Sequence, residues 1–146
     1  RYASYKKVWG KWYEQGGLVV SDRYTPSNAV HQASKEPEEK RKDFLKWLYE
    51  LEYDHMGLPR PDLVLYLDVP TDFTEMLLRS REAATGTHAD IHEADTQYLF
   101  ASRQMGRSAA EYDGWTLISC VEKGKMRSIQ DIHEEIYRYV TKCLEE

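Results

Sequence analysis

Apolar and polar positions alternate along this chain in two rhythms, one helical and one of short unbroken runs. Between residues 2 and 15, Tyr2, Tyr5, Trp9 and Trp12 share one helical face, with Val8 and Tyr13 beside them. Gly16-Gly17 ends that helix. Leu18-Val19-Val20-Ser21 follows as a short apolar run and predicts a buried strand. Thr25-Pro26 has the form of an N-cap followed by Pro at the first helical position, opening a short helix to about Ser34. Residues 35 to 42 make a charged linker and helix start. Phe44, Leu45, Leu48 and Leu51 give the next helix its stripe, which Gly57, Pro59 and Pro61 break. Leu63 to Leu67 predicts a second buried strand, followed by Asp68-Val69-Pro70. Next come a helix from Thr71 to about Glu82, a loop of small and polar residues from 83 to 90, and a long helix over roughly 91 to 112. Asp113-Gly114 turns the chain into a third strand, Trp115 to Ser119. The last helix begins near Ser128, with Asp131 as a loose capping box and an apolar face of Ile129, Ile132, Ile136, Val140 and Cys143. Trp47 and Trp115 read as core, and the aromatic stripe of the first helix as core or subunit interface.

Apolar strands separated by helices predict an α/β protein, a parallel sheet with helices on both faces. Ligands in such sheets sit beyond the carboxyl ends of the strands. Three segments occupy that position: Asp22-Arg23-Tyr24, Asp68-Val69-Pro70, and the loop from Cys120 to Arg127.

Composition narrows the partners. The 146 residues suffice for one domain with its own core, and 41% are hydrophobic, with four Trp. No apolar run reaches the roughly 20 residues needed to span a bilayer, and no N-terminal segment resembles a secretory signal. A formal charge of −5 argues against nucleic-acid binding, which calls for a basic face. It leaves room for a phosphorylated small molecule held by a few local arginines. Cys120 and Cys143 fit no metal spacing and no disulfide framework, which suits a reduced, cytoplasmic compartment.

Asp22-Arg23 is the strongest local chemistry. An arginine fork binds phosphate through two parallel charged hydrogen bonds. The adjacent Asp22 either orients it or holds Mg²⁺ through water, while a surface ion pair accounts for the same dipeptide without function. Arg79 and Arg81 stand at a helix end that runs into the Gly-containing loop. They fit a solvated C-terminus, where cations are favoured, or lid arginines that close on phosphates. Asp90, His92 and Glu93 make a poor metal set and a good helix start.

Taken together, these segments resemble the thymidylate kinase family, most closely a clostridial-type branch, over nearly the whole chain. LVVSDRYTPSNAVHQASK resembles the family's strand, its DR(Y/H) segment and its deoxynucleotide-binding helix. PDLVLYLDVP resembles the next strand and turn, and LLRSREAATGTHADIHEAD the lid, here about residues 79 to 93. Arg1, 21 residues before Asp22, matches the family's arginine on the preceding helix. The resemblance implies a nucleoside-monophosphate kinase of P-loop NTPase type that transfers phosphate from ATP, with Mg²⁺, to dTMP, and that forms a homodimer. It implies that Arg23 grips the dTMP phosphate and Arg1 contacts thymine. Ser27, Asn28, His31 and Gln32 would line base and sugar, with Asp90 and His92 also on the substrate side and Asp22 on the metal. Arg79 and Arg81 would act near the ATP phosphates, and the loop containing Lys125, Met126 and Arg127 would pack on adenine.

Four departures accompany it, one of them His92, which stands where Tyr is common. His31 falls where many relatives place Tyr or Phe, which keeps open a kinase for another deoxynucleoside monophosphate. No Arg or Lys lies between Glu82 and His92. No G-x-x-x-x-G-K-[ST] occurs; Gly10-Lys11 and Gly124-Lys125 lack its other residues. The expectation is therefore the C-terminal two-thirds of a thymidylate kinase, one domain without its N-terminal strand, phosphate loop and helix, and inactive by itself. A non-catalytic nucleotide-binding or dimerisation remnant is the alternative.

Overall fold

In the computed structural model, which describes residues 1–86 and 95–145, most of the chain is helical and the strands are few. It divides into two compact units, Arg1–Pro61 and Asp62–Glu146.

The first unit is all helix and loop. Its opening helix runs as α1 (Tyr2–Ser4), a π-helical turn (Tyr5–Trp9) and α2 (Gly10–Glu14). The π turn splits the predicted aromatic stripe. Tyr5 is buried and Trp9 half-buried, while Tyr2 and Trp12 remain exposed. Gly10 makes this possible, because a Cβ there would stand 2.9 Å from the Tyr5 ring. Helix α3 (Thr25–His31) carries Pro at its start as predicted, but the Thr25 side chain does not cap it. Short 3-10 turns at Ala33–Lys35 and Glu38–Lys40 lead to α4 (Arg41–Tyr49), which passes directly into a second π-helical turn, Glu50–His55. Ala29, Val30, Ala33, Leu45, Leu48, Tyr49, Tyr53 and Leu58 close the core with Tyr5.

Two expectations for this unit are corrected. Leu18–Ser21 forms no strand: among the described residues nothing pairs with it, and Val20 is 86% exposed. An apolar run without a ladder partner has no hydrogen bonds to hold it extended. Trp47 is no core residue either, being 54% exposed, because α4 turns Leu45 and Leu48 inward and leaves Trp47 beside Phe44 on the outside.

The second unit mixes helix and sheet. Strands β1 (Leu65–Asp68) and β2 (Thr116–Ser119) pair in parallel, Leu65 opposite Thr116 through Asp68 opposite Ser119. Parallel pairing is as expected. Among the described residues this sheet has two strands, and Leu67 and Leu117 on them are partly exposed while Ile118 is buried. Helix α5 (Thr71–Thr85) runs one turn further than predicted and closes at Gly86, whose left-handed φ of 67° places its N–H on the Glu82 carbonyl. Helix α6 (Thr96–Asp113) starts at Asp95, whose carboxylate accepts from the backbone N–H groups of Gln97 and Tyr98. The stretch from 87 to 94 lies outside the described residues, and with it the predicted tip of the lid and the start assigned to this helix.

The segment after β2 is a hairpin, β3 (Val121–Glu122) and β4 (Lys125–Met126), joined through Lys123 and Gly124, both at positive φ. That is the geometry of a two-residue primed turn. In α7 (Ile129–Glu145) the Asp131 N–H donates to Ser128 Oγ at 3.0 Å, the predicted cap. Its apolar face is half-buried at Ile132, Ile136, Val140 and Cys143, but Ile129 is exposed. Met105, Ala109, Ala110, Trp115, Ile118 and Cys120 form the core.

Leu45 is 1% exposed, so Leu45→Ala should cost about 3 kcal/mol, as for buried leucines that leave a cavity. Val20→Ala, at an exposed site, should cost under about 0.5 kcal/mol. Urea midpoints of the two variants check this contrast.

Candidate functional site

The most heavily bonded polar group of the first unit is the Glu52 carboxylate. Glu52 lies in the π-helical turn that follows α4 and is 6% exposed. Arg1 donates to it twice: Nε to Oε2 at 2.8 Å, and Nη2 to Oε1 in a shorter contact. Thr25 Oγ1 donates to Oε2 at 2.7 Å and Asn28 Nδ2 to Oε1 at 3.2 Å. The Thr25 hydroxyl is therefore engaged by Glu52 rather than by its own helix start. Burial raises the Glu52 pKa, but the bonds from Arg1, Thr25 and Asn28 and the Arg1 charge outweigh it, and the carboxyl titrates below its usual range. The same hydrogen bond raises the Arg1 pKa. Beside them the Tyr24 phenol is pushed up to about 12, first by burial and then by its neighbours Tyr53 and Glu52. Tyr24 also donates to the Pro59 carbonyl at 3.0 Å.

Of the residues expected to bind substrate, this cluster brings together Arg1 and Asn28. Ser27 and His31 are half-buried on the same helix, four positions apart, and Gln32 follows at its exposed C-terminal end. Asp22 and Arg23 are exposed in the turn before α3 and make none of the Glu52 bonds. Arg23 stands at φ 66°, a left-handed conformation that is rare for a side chain of its size, and Ser21 Oγ donates to its carbonyl at 2.9 Å.

In the second unit Arg79 and Arg81 lie near the end of α5, both exposed, with Arg79 3.9 Å from Glu75. Two positions apart on a helix, they project in nearly opposite directions and cannot grip one phosphate together from this helix. An open groove at the start of α5 and α6 is lined by Asp72 and Glu75 among others, an acidic setting unsuited to phosphate. Lys125 is exposed on the hairpin, with Met126 half-buried after it. Arg127 is committed to α7: it donates to Glu135 at 2.5 Å and to the Ser119 carbonyl at 2.7 Å. Asp90 and His92 lie outside the described residues.

The Asp68 segment at the end of β1 holds a second buried carboxylate. Arg103 donates to it through Nε at 2.6 Å and Nη2 at 3.1 Å, and Arg107 through Nη1 at 2.5 Å. Burial works to raise the Asp68 pKa, but the two arginines prevail and hold it below the carboxylate range. This cluster clamps α6 to the strand end.

Sequence reasoning missed Glu52, Arg103 and Arg107. One signal was present for Glu52. Leu45, Leu48 and Glu52 are spaced three and four apart, so an acid stands on an apolar stripe, where acids are rare unless paired. Among the described residues no group of three or more His, Cys, Asp or Glu side chains could hold a metal ion, so Asp22 belongs to no such cluster. No helix among the described residues is long and apolar enough to cross a membrane.

No family model matches the chain, and no solved structure matches it. Two curated thymidylate kinases, from two strains of Mycobacterium tuberculosis, are 30% identical to it over 81 residues, 55% of this chain. The matched stretch is 38% of the length of each relative, so the chain spans well under half of the curated proteins it matches. This likeness supports a distant relation to thymidylate kinases.

Asp68→Asn should destabilise the chain by about 2 kcal/mol at neutral pH, because two arginines lose their carboxylate. The cost stays below that of a fully buried pair because the Arg107 side chain is 52% exposed. The Asp68 pKa is lowered by folding, so its contribution is complete above about pH 4 and is lost as pH falls through the native value. Melting temperatures between pH 7 and pH 2 should therefore fall less steeply for Asp68→Asn than for the unaltered chain.

Proposed function

We propose that this chain carries the acceptor side of a thymidylate kinase, the part that holds dTMP while phosphate arrives from MgATP to give dTDP. The observation that carries the reading is the convergence of Arg1 and Asn28 on Glu52, two positions that the family resemblance assigns to the nucleoside. The 81-residue likeness to two thymidylate kinases supports the resemblance on which that assignment rests. In this reading Arg23 takes the phosphate of dTMP, and Ser27, His31 and Gln32 border base and sugar. The resemblance also assigns Asp90 and His92, outside the described residues, to the substrate, and Arg79 and Arg81 to ATP, where they would meet different phosphates and not form one clamp. The backbone at Lys125, Met126 and Arg127 meets the adenine. Asp22 suits Mg²⁺, which commonly takes one or two carboxylates and completes its shell with phosphate oxygens and water. When bound, the ion would neutralise charge on the phosphates being transferred. The whole enzyme would be a homodimer of three-layer P-loop architecture in which these residues form one domain.

The residues of this chain include no phosphate loop, whose backbone amides and lysine do most of the donor-side work in P-loop enzymes. The chain as given should therefore bind dTMP without turning it over. Calorimetric titration with dTMP, together with a coupled ADP-release assay, tests both halves. No binding would overturn the reading in favour of a non-catalytic remnant. Turnover of about 1–100 per second, the usual kinase range, would overturn the assignment of the donor side to other residues. His31 supports a second reading, in which another deoxynucleoside monophosphate is the acceptor, and titrations with dUMP and dCMP separate the two.

Arg23→Ala and Arg23→Gly should both weaken dTMP binding by at least about tenfold, since a hydrogen bond to a charged group contributes roughly 1.5–3 kcal/mol. The two variants should differ in stability. Glycine adopts a φ of 66° freely, so Arg23→Gly should exceed Arg23→Ala by about 1 kcal/mol in urea unfolding. Undiminished dTMP affinity in both variants would remove Arg23 from the site.

A further inference from the structure

Glu52 cannot itself be a ligand-binding group. A carboxylate offers about four lone-pair positions, and here Oε1 accepts from Arg1 Nη2 and Asn28 Nδ2 while Oε2 accepts from Arg1 Nε and Thr25 Oγ1. What it does instead is fix the groups it holds. An ionised carboxylate only accepts, so the Asn28 amide must turn its NH2 toward Glu52 and its carbonyl oxygen, the acceptor end, away. Arg1 engages through Nε and Nη2, which leaves Nη1, a donor that is never deprotonated, outside the pair.

We infer that Glu52 is the positioning residue that sets base specificity: by orienting Arg1 and Asn28 together, it makes them offer one donor and one acceptor to a planar ring. That combination matches a pyrimidine edge with a 4-oxo acceptor and an N3–H donor, as in thymine and uracil. It mismatches cytosine, whose N3 accepts and whose 4-amino group donates, and an unpaired buried polar group discriminates far more strongly than a missing methyl. The inference rests on the dTMP reading and adds the residue that enforces its choice of base. A purely structural Glu52 would stabilise the unit and leave the preference among bound bases untouched.

The experiment is calorimetric titration of dTMP and dCMP into the unaltered chain, Glu52→Gln, Glu52→Asp, Arg1→Ala and the double variant Arg1→Ala/Glu52→Gln. Glutamine keeps the shape but replaces one acceptor with a donor that faces donors. It should lower dTMP affinity at least about tenfold, the scale of one charged hydrogen bond, and narrow the ratio of dTMP to dCMP affinity. Because part of the effect of Glu52 passes through Arg1 and part through Asn28, the double variant should bind dTMP more weakly than Arg1→Ala alone but lose less than the sum of the two single losses, a departure from additivity expected of coupled residues. Glu52→Asp keeps the charge but is one methylene short, and should show the same two effects in weaker form. If Glu52→Gln does not fold, Glu52→Asp carries the test. An unchanged dTMP affinity and an unchanged dTMP to dCMP ratio in a folded Glu52 variant, with only its melting temperature lowered, overturns the inference. So do fully additive effects in the double variant. Failure of the unaltered chain to bind dTMP is a separate outcome, visible before any substitution, and it overturns the dTMP reading and this inference together.

Discussion

A carboxylate removed from water must be met by donors, and the first unit is organised around meeting that demand at Glu52. Its partners lie 51, 27 and 24 residues away along the chain, so one side chain ties the N-terminus and helix α3 to the turn after α4. The π-helical turn matters to this arrangement. A regular α-helix advances roughly 100° per residue, and a π turn inserts an extra residue that rotates the later side chains to a new direction, a device common at functional sites. The donors are as dependent on the carboxylate as it is on them: Thr25 and Asn28 are held in place by bonds made to a group outside their own helix.

The second unit solves the same problem at Asp68 with a different result. Both donors come from α6, four positions apart, hence from one face of one helix. Such an arrangement joins a helix to a strand end and presents little else. Glu52 gathers groups of different kinds, a cation, a hydroxyl and an amide, and it is this mixture that gives the first cluster a recognisable chemistry. Buried acids at both sites titrate below the ordinary range because paired charges and hydrogen bonds exceed the cost of burial, so both clusters depend on pH staying above the carboxylate region.

The alternation of strand and helix in the second unit was readable from local pattern. Leu65–Asp68 and Thr116–Ser119 are apolar runs between turn signals, and Ser128 with Asp131 announced α7. Leu18–Ser21 looked the same locally and is no strand, because strand formation depends on a partner that no local pattern reports. The π turns were equally invisible, since the apolar spacing of Tyr2, Tyr5, Trp9 and Trp12 fits a regular helix, and only the close approach of Tyr5 to Gly10 marks the change. In the candidate site, Arg1 and Asn28 came from family resemblance, whereas the carboxylate that unites them did not. Glutamate on a helix is ordinarily exposed, and the apolar stripe was traced through Leu51 when Glu52 lay on the buried side.

Among the described residues two that are not glycine adopt positive φ, and the fold accounts for them unequally. Lys123, at φ 50°, sits in a two-residue hairpin whose strands pair on either side, and the primed turn demands that conformation. Arg23, at φ 66°, is exposed and has no flanking ladder that would demand a left-handed backbone. Such a residue costs of order 1 kcal/mol or more, and strain of this kind persists where the surroundings impose it, most often at binding sites. Here the bond from Ser21 to the Arg23 carbonyl closes the turn locally, and Thr25, two residues on, is anchored to Glu52. The strained arginine thus stands in a turn held at one end by Ser21 and, two residues on, by the Thr25 bond to Glu52, close in sequence to the cluster where a cation, an amide and a buried carboxylate converge.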